Sequence, residues 1–424
     1  MIIVVLTFAV CLLMGVAIPF VLGISGIVHL LVMGNEAYLA VFAQRMFTGI
    51  DQFSLMCIPF FILAGGLMNK TGITERILGL ANELIGFLSG GLAYATVLVA
   101  AQLSAILGSA NAVAVVLCSI LVPSMKAQHY EEDFAAAVVA SAAVMGPIIP
   151  PSITFVIYGM LTGVSVGKLF MAGVIPGLLL GLGYMIVIYA HVRKKNYPKV
   201  ISKPDGRRLL KAFLRAAPVL PIPLIIVGGV LLGVFTPTES GAVAVAVSII
   251  SGIVYRTLKL SDLFHILIEA AKITSAIMLI VAFANILGWT LVMDGVPQAL
   301  SNGITGVTTD PNMVLLLLLF ALILIGCVVE GFAAMLIFAP IMYPLTMSVG
   351  IDPIHFGVVF ALMSTLGLIT PPVGMLLFVT SGVTEIPLVK LSRAALPFAV
   401  AGFIVTFFVA FVPELALFLP SLLK

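Results

Sequence analysis

Two pairs of adjacent prolines, Pro150–Pro151 in "GPIIPPS" and Pro371–Pro372 in "GLITPPV", stand inside long apolar runs. Proline has no N–H for the carbonyl four residues back. In a helix, the first pair therefore releases the carbonyls of Gly146 and Pro147, and the second those of Gly367 and Leu368. Bare carbonyls in an apolar setting need a partner, and a sodium ion, which takes oxygen ligands, is one. Further oxygens lie close in sequence: Ser104, Ser109 and Asn111 before the first break, Glu330 and Thr370 at the second. Beyond each break a new half-helix begins, and its positive N-terminal end, with Ser152 and Thr154 in the first copy, can face an anion. The bland alternative is a pair of packing kinks with water on the carbonyls. Two breaks at matching positions, each preceded by polar residues in an apolar run, weigh against it.

The charge pattern narrows the chemistry. No Lys or Arg occurs from Ile273 to Val389, nor from Ile77 to Met125. An anion here has no arginine fork to hold it, so it must rely on helix dipoles, hydroxyls and co-bound cations. Glu330 is either a ligand or substrate-hydroxyl acceptor, or a protonated packing residue. Glu239, in "FTPTESGAVAV", sits at a helix start and is read as a cap on backbone N–H groups.

These residues need a frame that composition supplies. Of the 424 residues, 62% are hydrophobic and 9% charged, with a net charge of +3 and a mean hydropathy of +1.29. That predicts an all-α polytopic membrane protein; continuous rather than alternating apolar runs exclude a barrel. Cys11, Cys57, Cys118 and Cys327 lie singly, without metal spacing, and read as packing residues. Nine of the twenty Lys and Arg fall between Arg193 and Arg215, which places that loop on the cytoplasmic side. Topology accounts for the loop without lipid or nucleic-acid binding.

The two halves share their punctuation. Pro123, Gly146, Pro150, Pro151 and Pro176 recur 221 positions later as Pro344, Gly367, Pro371, Pro372 and Pro397. Phe60, Gly65 and Gly72 recur at an offset of 223, and Gly15, Pro19 and Gly23 at 218. This predicts two repeats, residues 1–192 and 217–424, joined by a basic linker at 193–216. Spans are expected at about 2–18, 20–33, 53–69, 134–160 and 169–192, and at about 217–235, 237–255, 273–292, 354–382 and 391–412. Five spans per half invert the repeats and leave the N-terminus outside. Residues about 90–125 and 313–347 carry polar centres, "LGSAN" and "VVEGF". Their halves reach only about 22–26 Å, so they are read as re-entrant hairpins lining a cavity. Ile73–Leu88 and Val296–Ile304 read as interfacial helices.

The runs "GIDPIHFGVVFALMSTLGLITPPVGMLLFV", "FTPTESGAVAV", "IPFFILAGGLMNKTGI" and "GPIIPPSITFVIYG" resemble the large membrane subunit of tripartite ATP-independent periplasmic (TRAP) transporters, nearly end to end. The resemblance implies an elevator-type secondary transporter of the bacterial inner membrane, working with a small four-helix membrane subunit and a periplasmic substrate-binding protein that delivers an organic acid. Because the chain starts directly with the first repeat, the small subunit is expected as a separate polypeptide. Two sodium sites are implied where each hairpin tip meets its broken helix. The first comprises Ser104, Gly108, Ser109, Asn111, Gly146 and Pro150, the second Gly326, Glu330, Gly331, Gly367, Thr370 and Pro371. Ser109, Ser152, Thr154 and Glu330 are the substrate candidates. "GSAN" at the first tip is less serine-rich than in many relatives. Sialic acids and C4-dicarboxylates are the substrate types the family suggests.

Rival readings are weaker. "LGISG" imitates an intramembrane serine protease motif, but His191 and His129 are poorly placed to serve Ser25 as a base. "GVSVGKL" is one residue short of a phosphate loop and has Leu where Ser or Thr is needed, so no nucleotide site follows. A stand-alone sodium–dicarboxylate symporter or a sodium/proton antiporter shares every feature above and is the main alternative.

Overall fold

The computed structural model describes residues 2–422 except 33, 35, 36, 196, 198, 200–204, 218, 219, 328 and 372. Pro372 thus lies outside the described residues, as do Lys203 and much of the chain between 196 and 204. Among the described residues there is no strand. The first half consists of α1 (Ile2–Leu13), α2 (Ile18–Val32), α3 (Ala37–Ile50), α4 (Cys57–Lys70), α5 (Ile73–Ile85), α6 (Gly91–Leu107), α7 (Ala110–Ala127), α8 (Glu132–Ala143), α9 (Ile153–Thr162) and α10 (Val166–Lys195). A short helix, α11 (Gly206–Ala216), stands between the halves. The second half contains α12 (Pro221–Leu231), α13 (Pro237–Val254), α14 (Leu260–Met293), α15 (Val296–Thr305), α16 (Pro311–Gly326), α17 (Gly331–Ser348), α18 (Pro353–Gly367), α19 (Met375–Thr384), α20 (Leu388–Phe411) and α21 (Glu414–Ser421).

The chain is a polytopic helical membrane protein. Among the described residues, seven helices are long and apolar enough to cross a bilayer, including Val166–Lys195, Leu260–Met293 and Leu388–Phe411. At 1.5 Å per residue, α10 and α14 run about 45 and 51 Å, past the hydrocarbon core at either end. By contrast α9 and α19, ten residues each, reach about 15 Å. They are half-helices.

The spans differ from sequence expectation in several places, and the expected 354–382 span divides into α18 and α19 around its proline pair. A helix over Ala37–Ile50 has no counterpart among the expected spans, and α14 begins at Leu260 rather than near 273. Both stretches hold charged and polar groups, Gln44 and Arg45 in one, Asp262, Glu269 and Lys272 in the other, which dilute their hydropathy. The two also match in position along the chain: α3 and α14 start 223 residues apart, and α4 and α14 end 223 apart. One half keeps a single 34-residue helix where the other breaks near Asp51–Gln52. Elsewhere α1 stops at Leu13, ahead of Gly15 at φ +74°, and the expected 134–160 span divides into α8 and α9 around its proline pair.

Packing sorts the helices into two groups. In the first, α14 contacts α2, α3 and α4, and α13 packs on α4, with Gly23 facing the Phe283 ring and His29 Nε2 2.8 Å from Asp294 Oδ2. The second group is built around α8 and α18, whose residues Phe134–Ala143 and His355–Gly367 are all buried. Each lies against its own hairpin, α6 and α7 or α16 and α17, and against α20. The half-helices then cross over: α9 packs on α17 and α19 on α7. Small residues permit the close approach, since a Cβ at Gly173 would lie 2.4 Å from the Ile148 carbonyl oxygen. Tyr158 donates from α9 to the carbonyl of Pro353 at 2.8 Å, and His355 Nε2 lies 2.9 Å from the Val409 carbonyl oxygen.

Candidate functional site: two hairpin tips on two helix breaks

α6 ends at Leu107 and turns through Gly108, whose φ of +59° is a left-handed conformation that glycine adopts without penalty. Ser109 is extended and holds the N-cap position of α7, with no side-chain hydrogen bond to its first turn. No side chain separates this tip from the first break. A Cβ at Gly108 would lie 3.1 Å from the Pro151 carbonyl oxygen, and one at Gly146 would lie 2.9 Å from both Ala110 N and Ser109 C. The second tip repeats the arrangement more tightly. A Cβ at Gly367 would come within 2.2 Å of Gly326 C, and one at Gly326 within 2.9 Å of the Ser364 carbonyl oxygen. Across the same junction Gly374 N–H donates to Cys327 O at 3.3 Å, and Cys327 Sγ–H to Pro371 O at 3.6 Å.

The tips also meet each other. Asn111 Nδ2 donates to Glu330 Oε1 at 2.8 Å, joining residues 219 apart in sequence. Glu330 is half-buried at the N-cap position of α17, with no side-chain hydrogen bond to the helix's first turn. Gly108, Ser109 and Gly146 therefore meet at one junction, where Pro151 rather than Pro150 faces the tip, and Gly326, Gly367 and Pro371 meet at the other, with Asn111–Glu330 joining the two tips. Ser104 lies one turn below the first tip, its carbonyl accepting the Gly108 N–H at 3.1 Å.

The main-chain oxygens are less free than the proline pairs imply. Ser152 Oγ–H donates to the Pro147 carbonyl, while Gly367 O receives Thr370 N–H at 3.0 Å and Leu368 O receives Leu376 N–H at 3.0 Å. Three of the four expected vacancies thus have donors of their own, because the chain after each break folds back over it. Each carbonyl keeps a second lone pair. Ser152 is correspondingly not a free substrate contact: its hydroxyl also accepts Phe155 N–H at 3.2 Å as the cap of α9, fully buried. Thr154 is buried in the first turn of α9. Thr370 Oγ1–H donates to Leu366 O at 2.8 Å, which leaves its lone pairs as acceptors.

The donor set fits a small hard cation. Ser104 Oγ, Ser141 Oγ and Asn111 Oδ1 are buried without a hydrogen-bond partner in the protein, and a buried polar oxygen calls for one. Among the described residues no three His, Cys, Asp or Glu come together as a transition-metal site would need. Sequence reasoning passed over Ser364 and Thr365, whose hydroxyl oxygens lie 3.6 and 3.8 Å from where a Gly331 Cβ would stand. Both satisfy carbonyls of their own helix and so look inert in sequence, yet they face the second tip. Glu239, as expected, caps: with Thr236 it forms a reciprocal box at the start of α13, at 2.7 and 3.2 Å.

Comparison with known proteins places this architecture. A family model described as the tripartite ATP-independent periplasmic transporter, DctM component, matches residues 5–415. The chain is 38% identical over 396 residues to the sialic acid TRAP transporter large permease protein SiaM of Vibrio cholerae, covering 92% of each. It is 39% identical over 401 residues to the C4-dicarboxylate TRAP transporter large permease protein DctM of Pseudomonas aeruginosa, covering 94% of this chain and 93% of that one. It is 36% identical over 412 residues to the isethionate TRAP transporter permease protein DctMQ of Oleidesulfovibrio alaskensis, covering 97% of this chain and 65% of that one. The YdaH transporter of Alcanivorax borkumensis shares the fold, with a TM-score of 0.66 at 13% identity over 90% of both chains. The chain is thus a transporter permease subunit rather than an enzyme, and it belongs to the DctM component family of tripartite ATP-independent periplasmic transporters.

Proposed function

We propose that this chain is the membrane-spanning subunit of a sodium-driven importer that moves an organic acid anion by an elevator motion. Sodium is held where each tip meets its break, by Ser104, Ser109, Asn111 and the Gly146 carbonyl in the first half, and by Glu330, Thr370 and carbonyls around Gly326 and Gly367 in the second. The observation that carries this reading is the Asn111–Glu330 contact, which ties two oxygen-rich junctions into one centre free of Lys and Arg. An anion there needs positive charge, and co-bound cations with helix N-termini supply it. The relatives' substrates point the same way: sialic acid, C4-dicarboxylate and isethionate are all acids.

The two repeats, 1–192 and 217–424, are inverted in this reading. α10 carries Arg193, Lys194 and Lys195 at its C-terminal end, whereas its equivalent α20 has its basic residues, Lys390 and Arg393, near its N-terminal end; Lys168 is the one exception. Opposite chain directions bring most of these charges to one face, the cytoplasmic side of a bacterial inner membrane, and leave the N-terminus periplasmic. The group built on α8 and α18 is the moving part, sliding against the group around α4, α13 and α14. A separate small four-helix subunit steadies the latter, and a periplasmic binding protein delivers the acid.

Reconstitution tests this. The chain alone in proteoliposomes is expected to show no uptake. With small subunit and binding protein added, uptake follows an inward sodium gradient and moves charge. Uptake by the chain alone would instead favour the stand-alone symporter, and full activity in potassium would overturn sodium coupling.

A further inference from the structure

The basic stretch after α10 contains an amphipathic helix, α11. In α11, "GRRLLKAFLRA", Asp205 caps the first turn by accepting Arg207 N–H at 2.9 Å. The other end is fastened too: the Arg215 carbonyl receives Arg76 Nη1 from α5 at 3.5 Å and Tyr255 Oη at 3.4 Å. The Arg76 guanidinium itself lies 3.4 Å from the Tyr255 ring centroid. At 100° per residue, α11 has three faces. Leu209, Ala212 and Ala216 are the least exposed, on a helix that packs against α5. Leu210, Phe213 and Leu214 are 59, 49 and 63% exposed, an apolar stripe with no protein against it. Arg207, Arg208, Lys211 and Arg215 form the third face, all exposed.

Between α5 and α11 lies a cavity of about 350 Å³. Its charged lining is Arg76, Arg208, Lys211 and Arg215 against Glu75 and Glu83, an excess of two positive charges. Setting the orientation of the chain requires only that basic residues be present in the loop. It does not require that they share one helical face, beside an apolar stripe and a positive cavity, at the membrane end of a 30-residue helix that itself closes on Arg193–Lys195.

We propose that α11 is an in-plane helix that docks on an anionic phospholipid surface. Leu210, Phe213 and Leu214 enter the acyl boundary, while Arg208, Lys211 and Arg215, with Arg76, hold a headgroup phosphate at the α5–α11 cavity. The charge excess and the neighbouring stripe select a lipid over a free anion, which has no use for exposed leucines. The proposal is independent of which solute is carried.

Native mass spectrometry of the full chain, released from mixed micelles of phosphatidylglycerol and phosphatidylcholine at equal mole fraction, tests it. The wild type is expected to retain phosphatidylglycerol at least tenfold over phosphatidylcholine. Arg208→Gln/Lys211→Gln/Arg215→Gln abolishes the preference, at about fivefold per charge removed, and Leu210→Ser/Phe213→Ser weakens it. Arg193→Gln/Lys194→Gln leaves it in place. Equal retention of both lipids by the wild type, a triple variant that keeps the preference, or displacement of the lipid by millimolar inorganic phosphate would each overturn the proposal. Since the first of these needs no variant, the test survives a triple variant that fails to fold.

Discussion

Asn111 and Glu330 meet at 2.8 Å although each belongs to a different hairpin. Glu330 stands at the N-cap position of α17 as Ser109 does at that of α7, and the two stand 221 residues apart, the offset of the proline pairs. The two tips therefore differ: a neutral serine stands at the N-cap position of one and a glutamate at that of the other, neither making a side-chain capping hydrogen bond. A carboxylate at a helix N-terminus is favoured by the dipole, and the Asn111 amide supplies its hydrogen bond.

Removing that bond tests its place in transport. In the reconstituted system, Asn111→Ala is expected to lower uptake at least tenfold. Glu330→Gln keeps an oxygen acceptor for Asn111 and is expected to raise the sodium concentration needed for half-maximal uptake. Because the residues act as a pair, Asn111→Ala/Glu330→Ala should lose little more than Glu330→Ala alone. Losses that simply multiply would mean the contact is incidental.

Backbone-to-backbone packing at the junctions is sensitive to one methyl group. Gly367→Ala forces a Cβ to within 2.2 Å of Gly326 C, and Gly146→Ala to within 2.9 Å of Ala110 N. Overpacking of this kind costs about 1–3 kcal/mol, so both variants should unfold at lower temperature in detergent. Gly382→Ala meets nothing within 4 Å and serves as the control.

Ser152 is assigned to structure. Ser152→Ala removes a helix cap and strands the buried Pro147 carbonyl, for about 1–3 kcal/mol of stability. The KM for the delivered acid should stay within twofold of wild type. A large rise in KM without loss of stability would return Ser152 to the substrate.

Outside the spans, Glu131 accepts a hydrogen bond from Lys195 at 2.5 Å, which holds its carboxyl below the usual glutamate range. A depressed pKa contributes stability at neutral pH that is lost as pH falls through the folded value. Both side chains are about half exposed, so the effect is small. Glu131→Gln should slightly lower stability at neutral pH, flatten the acid limb of the stability curve and converge with wild type at its acid end.

Much of this arrangement was legible in the chain. Paired prolines and polar interruptions at a fixed offset give away breaks and tips, because both interrupt a helix that the apolar run would otherwise continue. Amphipathic pieces were harder. α3 and the first third of α14 carry Arg45, Glu269 and Lys272, which spoil any hydropathy window. The partners of the freed carbonyls were hidden for a different reason: Ser152 and the N–H groups of Thr370 and Leu376 reach them only once the chain has folded back. Asn111–Glu330 depends on two hairpins meeting, which no local pattern encodes.

Sodium binding by the purified chain tests the central claim most directly. A ligand that binds only the folded state raises its stability by RT ln(1 + [L]/Kd). Thermal unfolding of the wild type should therefore shift upward with sodium, by about 2.7 kcal/mol at a hundredfold excess over Kd, and not with equimolar potassium or choline. The shift should shrink in Ser104→Ala and in Glu330→Gln. Identical unfolding curves in sodium and potassium would contradict the account.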